Sequence, residues 1–126
     1  MTIKLVEADI IRAAGKARDE GRLATQNPEV VKRNEDRCLY RYPGTNVVCA
    51  IGSGLTDEFV ATLPHGRMLT IRQMAELHDV QIEGSLTTLC KLQSLHDEVL
   101  RDDFDREENL ADFNRFLDAK LAELAA

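Results

Sequence analysis

Cysteine, long apolar runs and basic charge are all scarce in this chain, and each shortage excludes a class of protein. Three cysteines among 126 residues are too few, and odd in number, for a disulfide-stapled scaffold. No apolar run approaches the roughly 18 residues that a membrane-spanning helix needs. The first residues, MTIKLVEADI, include acids and lack a continuous apolar stretch, which predicts that no signal peptide is present. The sequence therefore predicts a cytoplasmic protein without a membrane span.

The net charge of the chain is concentrated near its C-terminal end. Residues 97–126 contain ten acidic and four basic residues and carry the whole net charge of −6, whereas residues 1–96 contain twelve of each sign. Because no domain-wide basic excess is present to neutralise phosphates, we expect no non-specific binding of nucleic acid. The acidic third is interpreted as a solvated face or as a surface for a basic protein partner. A DNA mimic is a weaker alternative.

The periodicity of the apolar residues predicts an α+β fold. We expect a mainly helical single domain over residues 1–126, with one β-hairpin packed among four or five helices. β-branched and aromatic residues on both sides of residues 43–46 favour a hairpin over residues 37–51. Apolar side chains spaced three and four residues apart, or a capping pair at the start, predict the main helices. These are residues 3–24, 71–79, 86–101 and 106–125.

The last predicted helix belongs to an acidic segment, residues 104–126, and is the most amphipathic in the chain. Its apolar residues follow a helical spacing: Leu110, Phe113, Leu117, Leu121 and Leu124. Such a stripe either packs onto the core of its own domain or forms a seam between two copies of the chain. We therefore expect a packing or homodimer element, with Phe113, Leu117 and Leu121 as candidate binding residues for a protein partner.

The segment CLYRYPGTNVVCAIG, which begins at Cys38, places two cysteines around a turn sequence. A two-residue loop puts Cys38 opposite Cys49, and a three-residue loop puts Cys38 opposite Ala50, while Pro-Gly itself suits a type II turn. Both cysteines are interpreted as small buried hydrophobes rather than as a disulfide, because a cytosol keeps thiols reduced. Arg41 lies on the face opposite Tyr40 and is the candidate to reach solvent, a carboxylate or a partner.

A metal site or a thiol-dependent enzyme is the alternative interpretation of the cysteines. Zinc would be the cofactor, with ligands from Cys38, Cys49, Cys90 and His96. Zinc ligands usually occur as close pairs, and the chain contains neither C-x-x-C nor H-x-x-x-H. Asp97 follows His96 on a predicted helix, so the two side chains point about 100° apart and Asp97 orients the imidazole poorly. No phosphate-binding loop, nucleophile elbow or H-E-x-x-H motif is present, so we assign no catalytic residue and no cofactor.

Three short motifs occur in a fixed order over roughly residues 30–100. They are CLYR from Cys38, CAIG from Cys49, and LQSLHD from Leu92. In this order the chain resembles small uncharacterised phage and prophage-type proteins that carry C-x-Y-R, C-A-[IV]-G and L-Q-x-x-H-D motifs. The resemblance implies a shared fold and a bacterial or phage setting, and it implies no activity.

These observations predict a non-enzymatic factor that binds another protein, such as a phage or prophage accessory protein or regulator. The prediction rests on the missing catalytic set and on the acidic, amphipathic helix 106–125. Arg41 and the hairpin loop are a second predicted contact point. A Cys/His metal-binding or thiol-dependent enzyme domain is the competing prediction.

Overall fold

Two long helices at the C-terminal end of the chain pack on each other as an antiparallel pair. The computed structural model describes residues 3–33, 39–42, 44–62, 70–77, 80–101 and 104–126. Within these ranges the fold is mainly helical with a two-stranded parallel sheet, so the predicted α+β class is confirmed. The elements are strands β1 (Ile3–Val6) and β2 (Val80–Glu83) and helices α1 (Glu7–Asp19), α2 (Pro28–Arg33), α3 (Asp57–Thr62), α4 (Ile71–Ala75), α5 (Leu86–Arg101) and α6 (Arg106–Ala125).

The sheet joins two segments that lie far apart in the sequence. β1 and β2 run parallel, from Ile3 opposite Val80 to Val6 opposite Glu83. Their inner face is apolar, and on the outer face Lys4 and Glu83 form an ion pair at 3.0 Å. A parallel pair needs a long crossover between its strands, and here the crossover contains α1 to α4.

The helix predicted over residues 3–24 is wrong at both ends. Residues 3–6 form β1, α1 begins at Glu7, and it ends at Asp19 before Gly21, whose φ is +70°. Ile3 fits an apolar helical stripe as well as it fits a strand. The strand forms because its pairing partner lies 77 positions away, from Ile3 to Val80, and local periodicity carries no information about such a partner.

The helices that carry clear local start signals begin where the sequence predicts. The Ser85 hydroxyl accepts a hydrogen bond from the Thr88 N–H at 3.1 Å and precedes α5. Thr70 and Gln73 form the predicted capping box, with bonds of 2.8 and 3.1 Å. α5 and α6 have the predicted bounds, whereas α4 ends at Ala75 and is shorter than predicted.

The β-hairpin predicted over residues 37–51 is not formed, and the two strands of the sheet are parallel and lie elsewhere. Within the described part of this segment, a single antiparallel bridge joins Arg41 to Val48. Val48 also forms a parallel bridge with Leu23, and its carbonyl accepts a hydrogen bond from the Ala24 N–H at 2.8 Å. The backbone of Val48 is thus bridged to two segments, one on each side. The chain then enters a short 3-10 helix at Gly52–Gly54, so the antiparallel pairing with Arg41 does not extend into a longer ladder.

Both predicted registers of this segment are wrong. Because Arg41 lies opposite Val48, Tyr40 lies opposite Cys49, and the Cys49 N–H donates to the Tyr40 carbonyl at 3.2 Å. Gly44 has a φ of +75°, as the third position of a type II turn requires. Cys38, which both predicted registers involve, lies outside the described residues.

One apolar core links the sheet, α1, α4, α5 and α6. Its largest fully buried side chains on the helices are Ile10, Ile11, Ile71, Met74, Leu89, Leu92, Phe113 and Leu117. A smaller cluster forms beside it between Ala24, Val31, Tyr42 and Val47. The stripe on α6 therefore packs onto the core of its own chain.

Candidate functional site

The three sequence motifs meet in the core of the protein. Tyr40 of the first motif is almost fully buried, and its hydroxyl accepts a hydrogen bond from Nε2 of Gln93, in the third motif, at 3.0 Å. Oε1 of the same Gln93 accepts the backbone N–H of Ile71 at 2.9 Å, so one amide joins α5 to the start of α4. Burial raises the pKa of the Tyr40 phenol well above its usual range, and the hydrogen bond from Gln93 only partly offsets that effect.

The second motif requires glycine at its last position. A Cβ atom built on Gly52 would lie 2.1 Å from the carbonyl oxygen of Tyr40, which is far inside contact distance. The Gly52 N–H donates to Sγ of Cys49 at 3.1 Å. Four of the motif residues, Tyr40, Cys49, Gly52 and Gln93, are thus linked by close contacts in the core.

Arg41 reaches a carboxylate, and the carboxylate belongs to the same chain. Its Nε lies 3.1 Å from Oδ1 of Asp57, an ion pair whose alignment is not that of a hydrogen bond. Its Nη2 donates to the backbone carbonyl of Leu55. Arg41 therefore connects its own segment, which is bridged to Val48, with the start of α3. A contact between Arg41 and a protein partner stays a prediction.

The predicted zinc ligands are not assembled among the described residues. Cys49 is 5% exposed, and Cys90 on α5 is half-buried. In the part of the chain that the structure describes, no group of three or more His, Cys, Asp or Glu side chains is placed to hold a metal ion. Cys38 lies outside that part. Cys49 packs in the core as a small apolar side chain.

His96 faces the core from α5 and is 1% exposed. Its ring meets Phe113 of α6 edge-on, with the ring centroids 5.4 Å apart. Neither ring nitrogen has a hydrogen-bond partner among the described residues, and Oδ1 of Asp97 lies 3.8 Å from Nδ1. Asp97 is therefore poorly aligned with the imidazole, as expected. A buried histidine usually makes a hydrogen bond, but His96 makes none with the described residues.

The candidate binding residues on α6 lie mainly inside the protein. Phe113 and Leu117 are 0% exposed, and Leu121 is half-buried against Gly15 of α1. On the outer side of the interface with α1, Arg18 forms an ion pair with Asp118 at 2.5 Å. A partner cannot contact Phe113 or Leu117 unless α6 separates from α1 and α5, so a binding role for these two residues would require that opening.

The most exposed large apolar side chain among the described residues is Phe104, between α5 and α6. It is 97% exposed, and the next such residue, Leu77, is 37% exposed. Together with Asp105, Arg106, Glu107 and Glu108 it lines an open concavity of about 400 Å³. We call residues 104–108 the acidic elbow.

Arg106 joins the acidic elbow to the rest of the fold. Nη2 of Arg106 donates to the backbone carbonyl of Thr25 at 3.0 Å, across to the short 3-10 helix Ala24–Gln26. The Asn109 N–H donates to the Asp105 carbonyl at 2.9 Å, which closes the first turn of α6. Phe104 directly precedes the N-cap residue of this 20-residue helix.

The sequence interpretation assigned no role to Phe104, although the sequence contains a signal for it. Phe113 lies within the apolar stripe of α6, whereas Phe104 falls between the two predicted helices and is surrounded by acids. An aromatic residue in a charged connection between two helices belongs to neither apolar stripe. That placement is the pattern to look for in the sequence.

Among the residues that the structure describes, no helix combines the length and the apolar character that crossing a bilayer requires. No protein-family model, no curated protein and no solved structure matches this chain.

Proposed function

We propose that this protein is a non-enzymatic cytoplasmic factor that acts by binding another protein. The observation that carries the proposal is the 97% exposure of Phe104. The other three phenylalanines, Phe59, Phe113 and Phe116, all pack into or against the core. Burial of a phenylalanine side chain contributes about 1.5–3 kcal/mol, and the fold forgoes that gain at Phe104. A protein partner that covers the ring would recover it, and aromatic anchors are typical of protein interfaces.

The burial of Cys49 and His96 also supports a binding role over an enzymatic one. Both belong to the residue set that a thiol or metal enzyme would use, and both are 5% exposed or less. A nucleophile or a general base must reach its substrate within hydrogen-bond distance. In the described fold a substrate cannot reach either side chain.

A phage or prophage setting, in which the protein acts as an accessory factor or regulator, is part of the same proposal. Its support is the ordered occurrence of the three motifs that begin at Cys38, Cys49 and Leu92. The hydrogen bond between Tyr40 and Gln93, which joins the first motif to the third, supports a structural role for both.

Native mass spectrometry of the chain, purified gently under reducing conditions from its source cells, tests the proposal. We expect a complex that contains a second, different polypeptide. Recovery of the chain only at its own mass would contradict a stable protein-binding role. An additional mass of one zinc per chain, lost on Cys38→Ser or Cys49→Ser, would favour the metal-binding alternative instead.

A further inference from the structure

We propose that the acidic elbow is the docking site, and that it binds a basic protein surface in which an apolar recess receives the Phe104 ring. This inference rests on the proposed function and names the surface and the kind of partner. Its basis is the combination of one exposed aromatic ring with a local excess of negative charge.

The negative charge around Phe104 is dense. Residues 104–108 contain three acidic residues and one arginine, so their net charge is −2. The arginine, Arg106, is half-buried and directs its guanidinium to the Thr25 carbonyl at 3.0 Å. The only base in the segment is thus engaged within the fold, while Asp105, Glu107 and Glu108 are exposed. A partner at this surface meets negative charge around an apolar centre.

Helix stability accounts for only part of this charge. Glu107 and Glu108 lie in the first turn of α6, where acids favour the positive end of the helix dipole. Asp105 is the N-cap residue of α6, but its side chain makes no capping hydrogen bond. Solubility alone does not explain the segment either, since a fully exposed phenylalanine opposes it. Recognition of a basic partner explains both the acids and the ring.

The same charges argue against the other classes of partner. Phosphates of nucleic acid and anionic lipid headgroups are both repelled by a surface of net negative charge. A basic protein surface is attracted, and opposite charges at the rim of an interface mainly increase the association rate and the specificity. An aromatic side chain that enters a pocket supplies most of the affinity of such interfaces.

A hydrogen bond also joins the elbow to the rest of the fold. The bond from Arg106 to the Thr25 carbonyl joins it to the 3-10 helix Ala24–Gln26, and the bond from Asn109 to the Asp105 carbonyl lies within the first turn of α6. A binding loop that is already in place loses less conformational entropy when the complex forms. Affinity should therefore depend on the side chain of Phe104 rather than on folding of the segment.

The test measures the affinity of the partner recovered by native mass spectrometry for five forms of the full-length chain. These are the wild type, Phe104→Ser, the double variant Glu107→Gln/Glu108→Gln, and two controls. Leu77→Ser removes the next most exposed large apolar side chain. Glu29→Gln removes an acid from the first turn of α2, so it controls for the helix-dipole effect of the double variant. Urea unfolding of each form shows that the variants remain folded.

We expect Phe104→Ser to weaken binding at least tenfold. The double variant should weaken it several-fold and make the dissociation constant less sensitive to salt, and each control should stay within twofold of the wild type. If the partner binds Phe104→Ser as tightly as the wild type, the docking site is elsewhere, although the proposed function stands. If the recovered partner is a second copy of this chain, or if the double variant binds more tightly, the inference of a basic partner is overturned. If no partner is recovered at all, the proposed function fails first.

Discussion

Replacement of Gly52 by alanine tests whether the motif residues have the tight packing described above. The added Cβ would lie 2.1 Å from the carbonyl oxygen of Tyr40, 2.7 Å from its carbonyl carbon and 2.9 Å from its Cα. All three are backbone atoms, so no side chain can rotate to make room. The backbone around Tyr40 must therefore move. The Tyr40 hydroxyl would then shift relative to Gln93, from which it now accepts a hydrogen bond at 3.0 Å.

The expected loss of stability follows from two opposing effects. Overpacking against an immobile neighbour costs about 3 kcal/mol at the upper end of the usual range. Alanine also restricts the unfolded chain, which offsets about 0.7 kcal/mol. The net loss is about 2 kcal/mol. For a chain of 126 residues with an unfolding entropy of about 2.1 cal/mol/K per residue, that loss lowers Tm by about 8 °C.

Urea unfolding followed by circular dichroism measures the change, and Gly15→Ala is the matched control. A Cβ on Gly15 would also be close to a neighbour, at 2.9 Å, but that neighbour is the flexible end of the Leu121 side chain. Alanine in the interior of α1 gains about 1 kcal/mol of helix propensity, so the control should remain within about 1 kcal/mol of the wild type. If Gly52→Ala is as stable as Gly15→Ala, the close approach of Gly52 to Tyr40 is refuted.

Three further predictions concern the core. Leu117→Ala should lower the free energy of unfolding by about 2–5 kcal/mol, because Leu117 is 0% exposed; a change below about 1 kcal/mol in a urea titration would place α6 outside the core. His96→Leu should leave stability unchanged or raise it by about 1 kcal/mol, because it removes two buried nitrogens that lack partners among the described residues; a loss of about 2 kcal/mol or more would show that the imidazole makes a native hydrogen bond. The raised pKa of the buried Tyr40 phenol means that the unfolded chain loses this proton at a lower pH than the folded chain. The free energy of unfolding therefore keeps its full value with respect to this group below about pH 10, and above that pH it decreases by up to about 1.4 kcal/mol per pH unit. Tyr40→Phe should show a shallower loss than the wild type between pH 10 and 11, and equal slopes would contradict the burial of this phenol.

The elements that the sequence predicted correctly are those with signals within a few residues. Ser85 caps α5, and a three- and four-residue apolar spacing defines α6, so both helices have the predicted bounds. Gly44 was expected to favour a type II turn, and its φ of +75° agrees. In each case the determining interactions are local.

The elements that the sequence did not predict depend on distant partners. β1 exists because Val80 and its neighbours pair with residues 3–6. The hairpin fails to extend because Val48 pairs with Leu23 as well as with Arg41. Non-local pairing of this kind leaves no periodic trace in a single sequence.

Photo-crosslinking from position 104 shows directly whether Phe104 contacts a basic protein partner. A photoreactive benzoylphenylalanine is placed at position 104 of the full chain in the source cells, and the same group at position 77 serves as the control. We expect position 104 to crosslink to another protein, at a peptide rich in lysine and arginine around apolar residues, and we expect no such crosslink from position 77. Crosslinks that form equally from both positions, that reach only copies of this chain, or that fall on an acidic peptide would contradict it.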